Sequence, residues 1–336
     1  GSKHDFLKPK IKPDDLAFLQ FTGGTTGDPK AVMLTHANIM VNLEQCHDWV
    51  KDVFTHEQEI VITPLPLYHI FALVANLLLF IKVGGLNILI PNARDLDAFI
   101  KQIKDIKFNV ISGVNTLYLG LLNHPKFKNC DFSKLTLSIA GGMRLDKDVA
   151  IRFQDLTKVP LTQGYGLTET SPVITICPVN TKYNGAAGKA LKYTQICIMD
   201  ESDKVLPVGS KNKGEILVKG PQVMKGYWKN SKATKEVINS AGWLKTGDYG
   251  YLDKAGYLFI VDRLKDIIIV SGFNVCASEV EEVILGLDEI QQVAVVGKKD
   301  DKHGEIIIAH VVFNKGKGLS ENEIIKHAHA KLAAYK

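Results

Sequence analysis

The chain carries, from residue 22 to residue 30, the stretch Thr22-Gly23-Gly24-Thr25-Thr26-Gly27-Asp28-Pro29-Lys30. An apolar run that predicts a strand precedes it, and a helix-like segment follows from His36. Glycines let the backbone approach an anion closely, threonine hydroxyls and backbone amides supply donors, and Lys30 adds a mobile positive charge. The stretch therefore predicts a loop that cradles phosphate.

This loop differs from the common nucleotide-binding P-loop. Its lysine does not directly follow a glycine, and Ala31 stands where that motif has serine or threonine. A surface turn rich in glycine and threonine is the alternative interpretation. Several glycines so close together are costly in conformational entropy, which makes a plain turn the weaker explanation.

Outward from the loop, short apolar runs alternate with helix-like segments as far as about Thr170. The predicted strands are residues 16–21, 60–63, 87–90, 109–111 and 135–140. The predicted helices are residues 36–50, 70–81, 95–106, 114–122 and 146–157. Such alternation favours a mostly parallel sheet covered by helices, so the expected fold class is α/β.

The pattern changes after Pro172. From residue 185 to residue 262 the runs are short and mostly β in character, with strands at 196–199 and 214–219 and a hairpin at 249–261 that turns at Asp253-Lys254-Ala255-Gly256. From residue 265 the order is strand (267–270), helix (278–287), strands (292–296 and 305–313) and helix (321–334).

We expect three parts: an α/β part at 1–184, a β-rich subdomain at 185–264 and an α+β domain at 265–336. No stop signal follows the last helix, so that domain is expected to continue past Lys336.

Composition narrows the class of protein. The 336 residues suffice for two or more domains with cores of their own. The net charge of +5 is spread without a basic block, so nothing argues for nucleic acid. Five cysteines, far apart and never in a C-x-x-C pair, indicate reduced thiols in a cytoplasmic protein. The most apolar stretch, residues 70–81, is too short to span a bilayer and favours a buried helix, whereas peripheral membrane association stays open.

Four further segments combine histidine, aromatic or charged side chains with turn-forming residues. They are Leu65-Pro-Leu-Tyr-His69, Gln163-Gly-Tyr-Gly-Leu-Thr-Glu169, Thr246-Gly-Asp248 and Asp262-Arg-Leu-Lys-Asp-Ile-Ile-Ile-Val-Ser-Gly272. Together with the loop they resemble, in the same order, the signature motifs of the adenylate-forming superfamily of acyl-CoA ligases, peptide-synthetase adenylation domains and beetle luciferases. The resemblance runs from Asp14 to Lys336, and the stretches 65–73, 219–228 and 270–275 are most similar to bacterial long-chain fatty-acid–CoA ligases.

The resemblance implies a large domain with a parallel, helix-covered sheet and a small β-barrel-like subdomain. A small α+β C-terminal domain would follow, here incomplete. It also implies that ATP phosphates bind the loop residues Thr22, Gly23, Gly24, Thr25, Thr26, Gly27 and Lys30.

Further phosphate contacts are implied at the end of the second motif. Glu169 would hold the Mg²⁺ that bridges the phosphates, and Thr168 would donate to one of them. The alternatives are a helix N-terminal carboxylate for Glu169 and a helix cap for Thr168.

The implied nucleoside contacts come from two motifs. Tyr165, between Gly164 and Gly166, would stack on adenine, with a buried core tyrosine as the alternative. Asp248 would accept both ribose hydroxyls, and Arg263 would add a charge-assisted bond near the ribose. A plain Gly-Asp turn and a structural ion pair are the corresponding alternatives.

The implied acyl-side residues are His69, Leu73, Gly141 and Gly142. His69 would contact the α-phosphate or the reacting carboxylate, and the two glycines would lie where adenine and acyl group meet the backbone. The alternatives are a structural histidine at position 69, a strand-end turn for the two glycines and an ordinary apolar helix for Leu73. Lys265 matches the hinge about which the family's C-terminal domain rotates.

The resemblance implies a two-step reaction. The carboxylate of a long-chain fatty acid would attack the α-phosphorus of ATP, and the thiol of CoA would then displace AMP. In agreement, the sequence has no Gly-x-Ser-x-Gly elbow that would supply a nucleophile. Two alternatives stay open: an acyl-AMP ligase that loads a carrier protein, and a non-catalytic nucleotide-binding module of the same fold.

Against the family pattern, the chain is expected to be truncated at both ends. A sizeable part of the large domain is missing before Lys3, Gly1-Ser2 resembles the scar of a cleaved tag, and the chain stops before the family's C-terminal catalytic lysine. We therefore expect weak nucleotide binding and poor turnover from this chain. The location is expected to be cytoplasmic, with peripheral contact at the inner membrane face left open, and the sequence indicates no oligomeric state.

Overall fold

A computed structural model describes residues 9–22, 29–54, 58–300, 303–333 and 335–336 of the chain. The chain divides into two compact units. Unit 1 comprises Gly1–Ile196, Leu217–Lys245 and Lys254–Phe259, and unit 2 comprises Cys197–Ile216, Thr246–Asp253 and Ile260–Lys336. The boundaries expected at residues 184 and 264 stay predictions.

The regular elements are numbered here in chain order. The described strands are β1 (Leu16–Thr22), β2 (Lys30–Thr35), β3 (Ile60–Thr63), β4 (Leu86–Leu89), β5 (Val110–Gly113), β6 (Leu137–Ala140), β7 (Leu161–Gly166), β8 (Val173–Ile176), β9 (Gly188–Ala190), β10 (Gln195–Met199), β11 (Gly214–Lys219), β12 (Gly226–Tyr227), β13 (Leu244–Leu252), β14 (Tyr257–Arg263), β15 (Ile267–Val270), β16 (Phe273–Cys276), β17 (Ile290–Asp300) and β18 (Gly304–Phe313). The described α-helices are α1 (His36–Val50), α2 (Leu79–Lys82), α3 (Leu96–Ile103), α4 (Asn115–Asn123), α5 (Lys147–Thr157), α6 (Ser231–Val237), α7 (Ala277–Leu285) and α8 (Glu321–Lys331).

The main sheet of unit 1 is parallel at its centre. Strands β4, β3, β5, β6 and β7 are parallel neighbours in that order, and β8 and β9 continue the sheet in antiparallel pairing. Its strands are apolar on both faces, as in other parallel sheets that helices cover on both sides. The expected α/β fold with a parallel, helix-covered sheet is confirmed.

Alternation along the strands divides the core of unit 1 into two layers. On one face, Ile62 and Ile111 pack in a cluster with residues of α3, α4 and α5, among them Phe99, Tyr118 and Phe153. On the other face, the preceding residues Val61 and Val110 pack with Leu43 of α1 and with Leu79 and Phe80 of α2. Successive strand residues point to opposite faces, so each strand contributes to both layers.

A second, antiparallel sheet of unit 1 has the order β1-β2-β12. Thr22 and Lys30 are register partners at its open end, so residues 23–29 connect β1 to β2. The sequence analysis did not predict β2, which lies between this loop and α1. Helix α1 then begins with a capping box, in which the Thr35 hydroxyl and the Asn38 side chain bond each other's backbone N–H groups.

The apolar stretch 70–81 is helical, as predicted, but its central part, Ala72–Leu78, is a π-helix. The Asn76 amide on this segment is buried and donates to Thr63 Oγ1 (3.1 Å) and Ser112 Oγ (2.7 Å). Thr63 and Ser112 stand on β3 and β5, so the π-helix is tied to the sheet by polar contacts that apolar periodicity does not reveal. The stretch is largely buried, although Ile81 is exposed.

Unit 2 contains a four-stranded antiparallel sheet in the order β16-β15-β18-β17. Ile268, Val280, Ile284 and Val295 form its core with α7, and Ile324 of α8 packs against them. The predicted order of strand, helix, two strands and helix is confirmed, with β16 as an addition.

The predicted hairpin is also confirmed, because β13 and β14 are hydrogen-bonded neighbours around the turn at residues 253–256.

Within the ranges that the structure describes, no helix combines the length and apolar character that crossing a bilayer requires.

Candidate active site

The candidate site of unit 1 lies at the carboxyl ends of its parallel strands, where open α/β sheets bind ligands. Gly141 follows β6, and its N–H donates to the carbonyl of Gly113 at the end of β5 (3.2 Å). A Cβ at Gly141 would lie 3.2 Å from Phe71 Cε1 and 3.4 Å from the Gly164 carbonyl. The segment that follows His69 therefore meets β6 and β7 at this edge.

Two glycines shape the backbone of this edge. Gly142 has φ of +77°, a conformation that other residues adopt at a cost. A Cβ at Gly166 would lie 1.9 Å from the Pro172 carbonyl oxygen, so only glycine fits there. Between them, Gly164 and Tyr165 pair with Ile176 and Thr175 of β8. Tyr165 is half-buried, which is compatible with both its expected stacking on adenine and a core role.

Glu169 lies in a short 3₁₀ turn, Thr168–Thr170, directly after this strand. Its carboxylate is half-buried, and Oε1 accepts a hydrogen bond from the Tyr227 hydroxyl at 2.8 Å. Its carbonyl accepts from the Met224 N–H at 2.8 Å. Two hydrogen bonds thus connect the turn to the segment that ends in β12. They hold both the backbone and the carboxylate of Glu169 in place.

The Tyr227 side chain is 6% exposed. Burial raises the pKa of its hydroxyl, and the Glu169 carboxylate raises that pKa further, so the hydroxyl stays protonated and donates. The sequence analysis missed this residue, although it lies in the stretch 219–228 that carries the resemblance to fatty-acid ligases. A tyrosine that follows a glycine does not by itself indicate a binding or catalytic role.

Lys30 contacts the ring of the same tyrosine. Its Nζ is 5.1 Å from the centroid of the Tyr227 ring, within the range of a cation–π contact. Its carbonyl accepts a hydrogen bond from Thr22 Oγ1 at 3.3 Å. The remaining loop residues with an expected role, Gly23, Gly24, Thr25, Thr26 and Gly27, lie outside the described residues.

Thr168 does not cap the turn that it begins. The Thr170 hydroxyl accepts from the Leu167 N–H at 3.0 Å, and the described part of the chain offers the Thr168 side chain no hydrogen-bond partner. The helix-cap alternative for Thr168 is therefore wrong, whereas its donation to a phosphate stays a prediction.

His69 lies at the surface just ahead of the π-helix, with part of its side chain covered by protein. Its Nδ1 accepts from the Phe71 N–H at 3.3 Å, which requires an unprotonated Nδ1. Partial burial lowers the pKa of the imidazole, so the neutral form prevails at neutral pH. Leu73, one helical turn later, is partly buried and packs against the cluster that holds Val32 and Tyr227. It therefore belongs to the core, and its acyl contact stays a prediction.

Unit 2 carries its own candidate residues. The Asp248 side chain on β13 is 3% exposed, and its Oδ1 lies 3.0 Å from Nε of Arg263, which is 57% exposed. The Asp248 N–H donates to Thr246 Oγ1 (3.1 Å), which itself donates to the Ile216 carbonyl (2.7 Å). These contacts hold a buried carboxylate in one orientation. The ion pair expected as an alternative for Arg263 is present, and it is compatible with a role beside a ribose.

Lys265 lies exposed in the 3₁₀ turn Leu264–Asp266, between β14 and β15. It falls within the last segment of unit 2, which begins at Ile260. Its role as a hinge stays a prediction.

A metal site made of protein ligands alone is not found in the described residues, where no three histidine, cysteine or acidic side chains group suitably. Magnesium ordinarily keeps several waters and takes one or two carboxylates together with substrate phosphates. Glu169 fits that requirement, because only its Oε1 has a hydrogen-bond partner among the described residues. The arrangement suits a cation that arrives with a nucleotide.

Comparison with known proteins agrees with this geometry. Residues 2–228 match the family model of the AMP-binding enzymes, and residues 279–336 match that of the AMP-binding enzyme C-terminal domain. The chain is 44% identical over 337 residues to a long-chain-fatty-acid–CoA ligase of Escherichia coli O6:H1 and 41% identical over 330 residues to one of Bacillus subtilis.

Those alignments cover 100% and 98% of this chain but 59% and 58% of the two relatives, so the chain spans about three fifths of their length. Among solved structures, ATP-bound MatB from Rhodopseudomonas palustris matches with a TM-score of 0.88 and 33% identity. That match covers 97% of this chain and 63% of MatB.

Proposed function

The chain belongs to the AMP-binding enzyme family, and from this premise we propose that its protein is a long-chain fatty-acid–CoA ligase. In the first step, a carboxylate oxygen of the fatty acid attacks the α-phosphorus of ATP, and the bond to the β-phosphate bridge breaks. Acyl-AMP and pyrophosphate result. In the second step, the sulfur of CoA attacks the acyl carbon, the bond to the phosphate breaks, and AMP and a proton leave.

The observation that carries the proposal is the arrangement of Lys30 and Glu169 around Tyr227. A cation and a carboxylate held 5.1 Å and 2.8 Å from parts of one side chain suit a polyphosphate and its counterion. Lys30 would neutralise charge on the departing pyrophosphate. Glu169 would hold Mg²⁺, which when bound supplies charge neutralisation along the phosphates. Thr22 and Thr168 would donate to phosphate oxygens.

The acyl side of the proposal rests on His69 and the glycines after β6. A neutral imidazole with Nε2–H can donate to the incoming carboxylate or to an α-phosphate oxygen without forming a fixed ion pair. Gly141 and Gly142 would let the backbone approach the adenylate closely, and Tyr165 would stack on adenine between Gly164 and Gly166. Leu73 would contact the first part of the acyl chain.

The ribose contact is proposed for unit 2 considered by itself. A buried carboxylate presents two oxygens side by side, which suits a vicinal diol. Arg263, which already bonds Asp248 Oδ1, would keep that carboxylate oriented. We also propose Lys265 as the hinge of the C-terminal part.

The choice of a long-chain fatty acid and of CoA is supported by relatives named long-chain-fatty-acid–CoA ligases that are 41–44% identical to this chain. The competing function is an acyl-AMP ligase that loads a carrier protein, since the first step is common to both. A peripheral association with the inner membrane face is proposed with it, because a long-chain substrate partitions into lipid.

The test measures pyrophosphate release by the full-length protein with ATP, Mg²⁺ and palmitate, first without and then with CoA. We expect release that depends on palmitate, and palmitoyl-CoA once CoA is added. A Glu169→Ala variant should lose both activities, while Glu321→Ala, an exposed substitution at the start of α8, should keep them.

Each other outcome selects a different function. Acyl-AMP that accumulates without any thioester would favour the carrier-loading ligase. Absence of pyrophosphate release with every carboxylate tried would leave a nucleotide-binding module.

A further inference from the structure

Contacts of its backbone and of its ring hold Tyr227 in place. It pairs with Val32 of β2, the strand that begins with Lys30, and its N–H donates to Thr234 Oγ1 at 2.9 Å. Its ring packs in a buried cluster with Val32, Leu34 and Ile70. The hydroxyl therefore points to a defined place, and the group that it meets there is Glu169 Oε1, at 2.8 Å.

A half-buried carboxylate can rotate about its last two bonds unless a donor holds one oxygen. The side chain of a glutamate loses appreciable rotamer entropy when it is ordered, so a ligand would have to compensate for that loss. Here the Tyr227 hydroxyl donates to Oε1 at 2.8 Å and so orders the carboxylate in advance. It leaves Oε2 as the oxygen without a bond among the described residues. Donors that orient ligating groups in this way tune metal affinity in other proteins.

We propose that Tyr227 is a positioning residue for the metal-bound nucleotide: its hydroxyl holds Glu169 Oε1 so that Oε2 is presented to a divalent cation bound with ATP. Lys30 uses the ring face of the same side chain and Glu169 uses its hydroxyl, so the two functions are separable by substitution. The inference rests on the proposed function, in which Glu169 holds the cation.

The separation predicts a distinctive effect of Tyr227→Phe. Phenylalanine keeps the ring, and with it both the core packing and a surface for Lys30. It removes only the donor to Glu169. Loss of such a donor typically weakens metal binding by about 10-fold to 100-fold. We expect the affinity for Mn²⁺·ATP to fall by about 10-fold, while the affinity for ATP without metal stays within about twofold of the wild type.

The experiment is calorimetric titration of the full-length protein with ATP, once in the presence of Mn²⁺ and once in the presence of a chelator. Glu169→Gln and the double variant Tyr227→Phe/Glu169→Gln complete a cycle, and in it the second substitution should add little to the first. Tyr118→Phe is the matched control. Tyr118 is also buried and its hydroxyl donates to the Ile139 carbonyl at 2.7 Å, so loss of this hydroxyl should lower stability but leave the metal dependence unchanged.

A fluorinated tyrosine at position 227 gives a readout that does not depend on a substitution of the hydroxyl. Its ¹⁹F resonance should be broadened by Mn²⁺ with ATP present, become sharp again when diamagnetic Mg²⁺ replaces Mn²⁺, and respond little to ATP alone; a line that Mn²⁺ does not broaden would contradict the proposal. This variant keeps every polar contact of Tyr227 and tests the proposal if Tyr227→Phe fails to fold.

The outcomes separate this inference from the proposed function. A wild-type protein that binds no ATP overturns both. Binding that Glu169→Gln weakens but Tyr227→Phe does not overturns the inference alone. Equal loss with and without metal in Tyr227→Phe also overturns it, since the tyrosine would then act through Lys30 or the fold.

Discussion

Unit 1 holds Lys30 over the ring and Glu169 at the hydroxyl of one tyrosine, whereas unit 2 holds Arg263 directly against Asp248 at 3.0 Å. In the direct pair, each charge already has its counterion, and one carboxylate oxygen is engaged. Such a group can still accept hydrogen bonds from neutral hydroxyls. In the spaced arrangement, neither charge neutralises the other, so both stay available to charged ligands.

The difference matches the chemistry proposed for each unit. Phosphates and a divalent cation need unpaired charges of both signs, and a sugar diol needs an oriented acceptor. On the proposed assignment, two units of one chain would use similar side chains for different ligands by changing what lies between them. The predictions that follow test this contrast, beginning with the largest expected effect.

Glu169→Gln should remove the negative member of the two charges held by Tyr227 in unit 1. The amide oxygen can still accept from the Tyr227 hydroxyl, so the turn keeps its shape, but the negative charge is gone. We expect pyrophosphate release to fall by roughly 100-fold or more, as for loss of other electrostatic groups that act on a transition state. The rate should be measured over a range of Mg²⁺ concentrations. Recovery of the full rate at high Mg²⁺ would mean that the charge serves metal affinity alone.

Gly166→Ala should disturb the backbone on which the unit 1 arrangement depends. The new Cβ would lie 1.9 Å from the Pro172 carbonyl oxygen, and overpacking of this kind costs about 1–3 kcal/mol in the free energy of unfolding. The control is Gly318→Ala in unit 2, where a Cβ would have no atom within 4 Å. Urea titration of both variants measures the difference. Equal free energies of unfolding for the Gly166→Ala and Gly318→Ala variants would contradict the close approach at Gly166.

Asp248→Asn should weaken ATP binding by about tenfold, which corresponds to about 1.4 kcal/mol, and leave the response to Mg²⁺ unchanged. The amide accepts at one oxygen only, so it can serve one ribose hydroxyl where the carboxylate serves two. Dissociation constants for ATP and for 2′-deoxy-ATP measure this directly. If Asp248 contacts the ribose, the substitution should raise the dissociation constant of 2′-deoxy-ATP by a smaller factor than that of ATP. An unchanged penalty would assign Asp248 to the ion pair with Arg263 alone.

His69→Asn should have the smallest effect, on how stability depends on pH. Partial burial lowers the folded-state pKa of His69 below its usual value of 6.5, so the unfolded chain binds the proton more readily between those two values. This contribution to stability is complete above pH 6.5 and is lost as pH falls through the folded-state pKa. The variant should therefore lose less stability than the wild type between pH 7.5 and pH 5. Urea midpoints at several pH values measure it, and parallel curves would contradict the assignment.

Much of the fold follows from local pattern, and the exceptions have physical causes. Helix α1 begins and ends where its periodicity predicts, and β3 and β15 agree with the predicted bounds. Strand β2 was missed because burial does not alternate along it, and β12 was missed because its pairing is non-local, with Tyr227 opposite Val32. The π-helix was missed because an apolar period predicts a helix but not its hydrogen-bond spacing.

The candidate site was predictable to the extent that it consists of glycines and charged residues in short motifs. Glu169, Asp248 and Lys30 were identified in this way. Tyr227 and Asn76 were not, because each acts through contacts with residues far away in sequence, Glu169 for one and Thr63 and Ser112 for the other. A residue that orients another has no motif of its own and becomes visible only in three dimensions.

The way the chain alternates between the units has a consequence for its synthesis. When residue 245 has left the ribosome, the segment Lys254–Phe259 of unit 1 is still to come, whereas unit 2 still awaits both Thr246–Asp253 and the longer segment that begins at Ile260. Domains tend to fold in the order in which they emerge, so unit 1 can begin to fold first, and the early segment of unit 2 must wait for the other two segments of that unit. Exchange of unit 2 between relatives by recombination would likewise require three grafts, because a single crossover at the C-terminal family boundary, residue 279, would divide the unit.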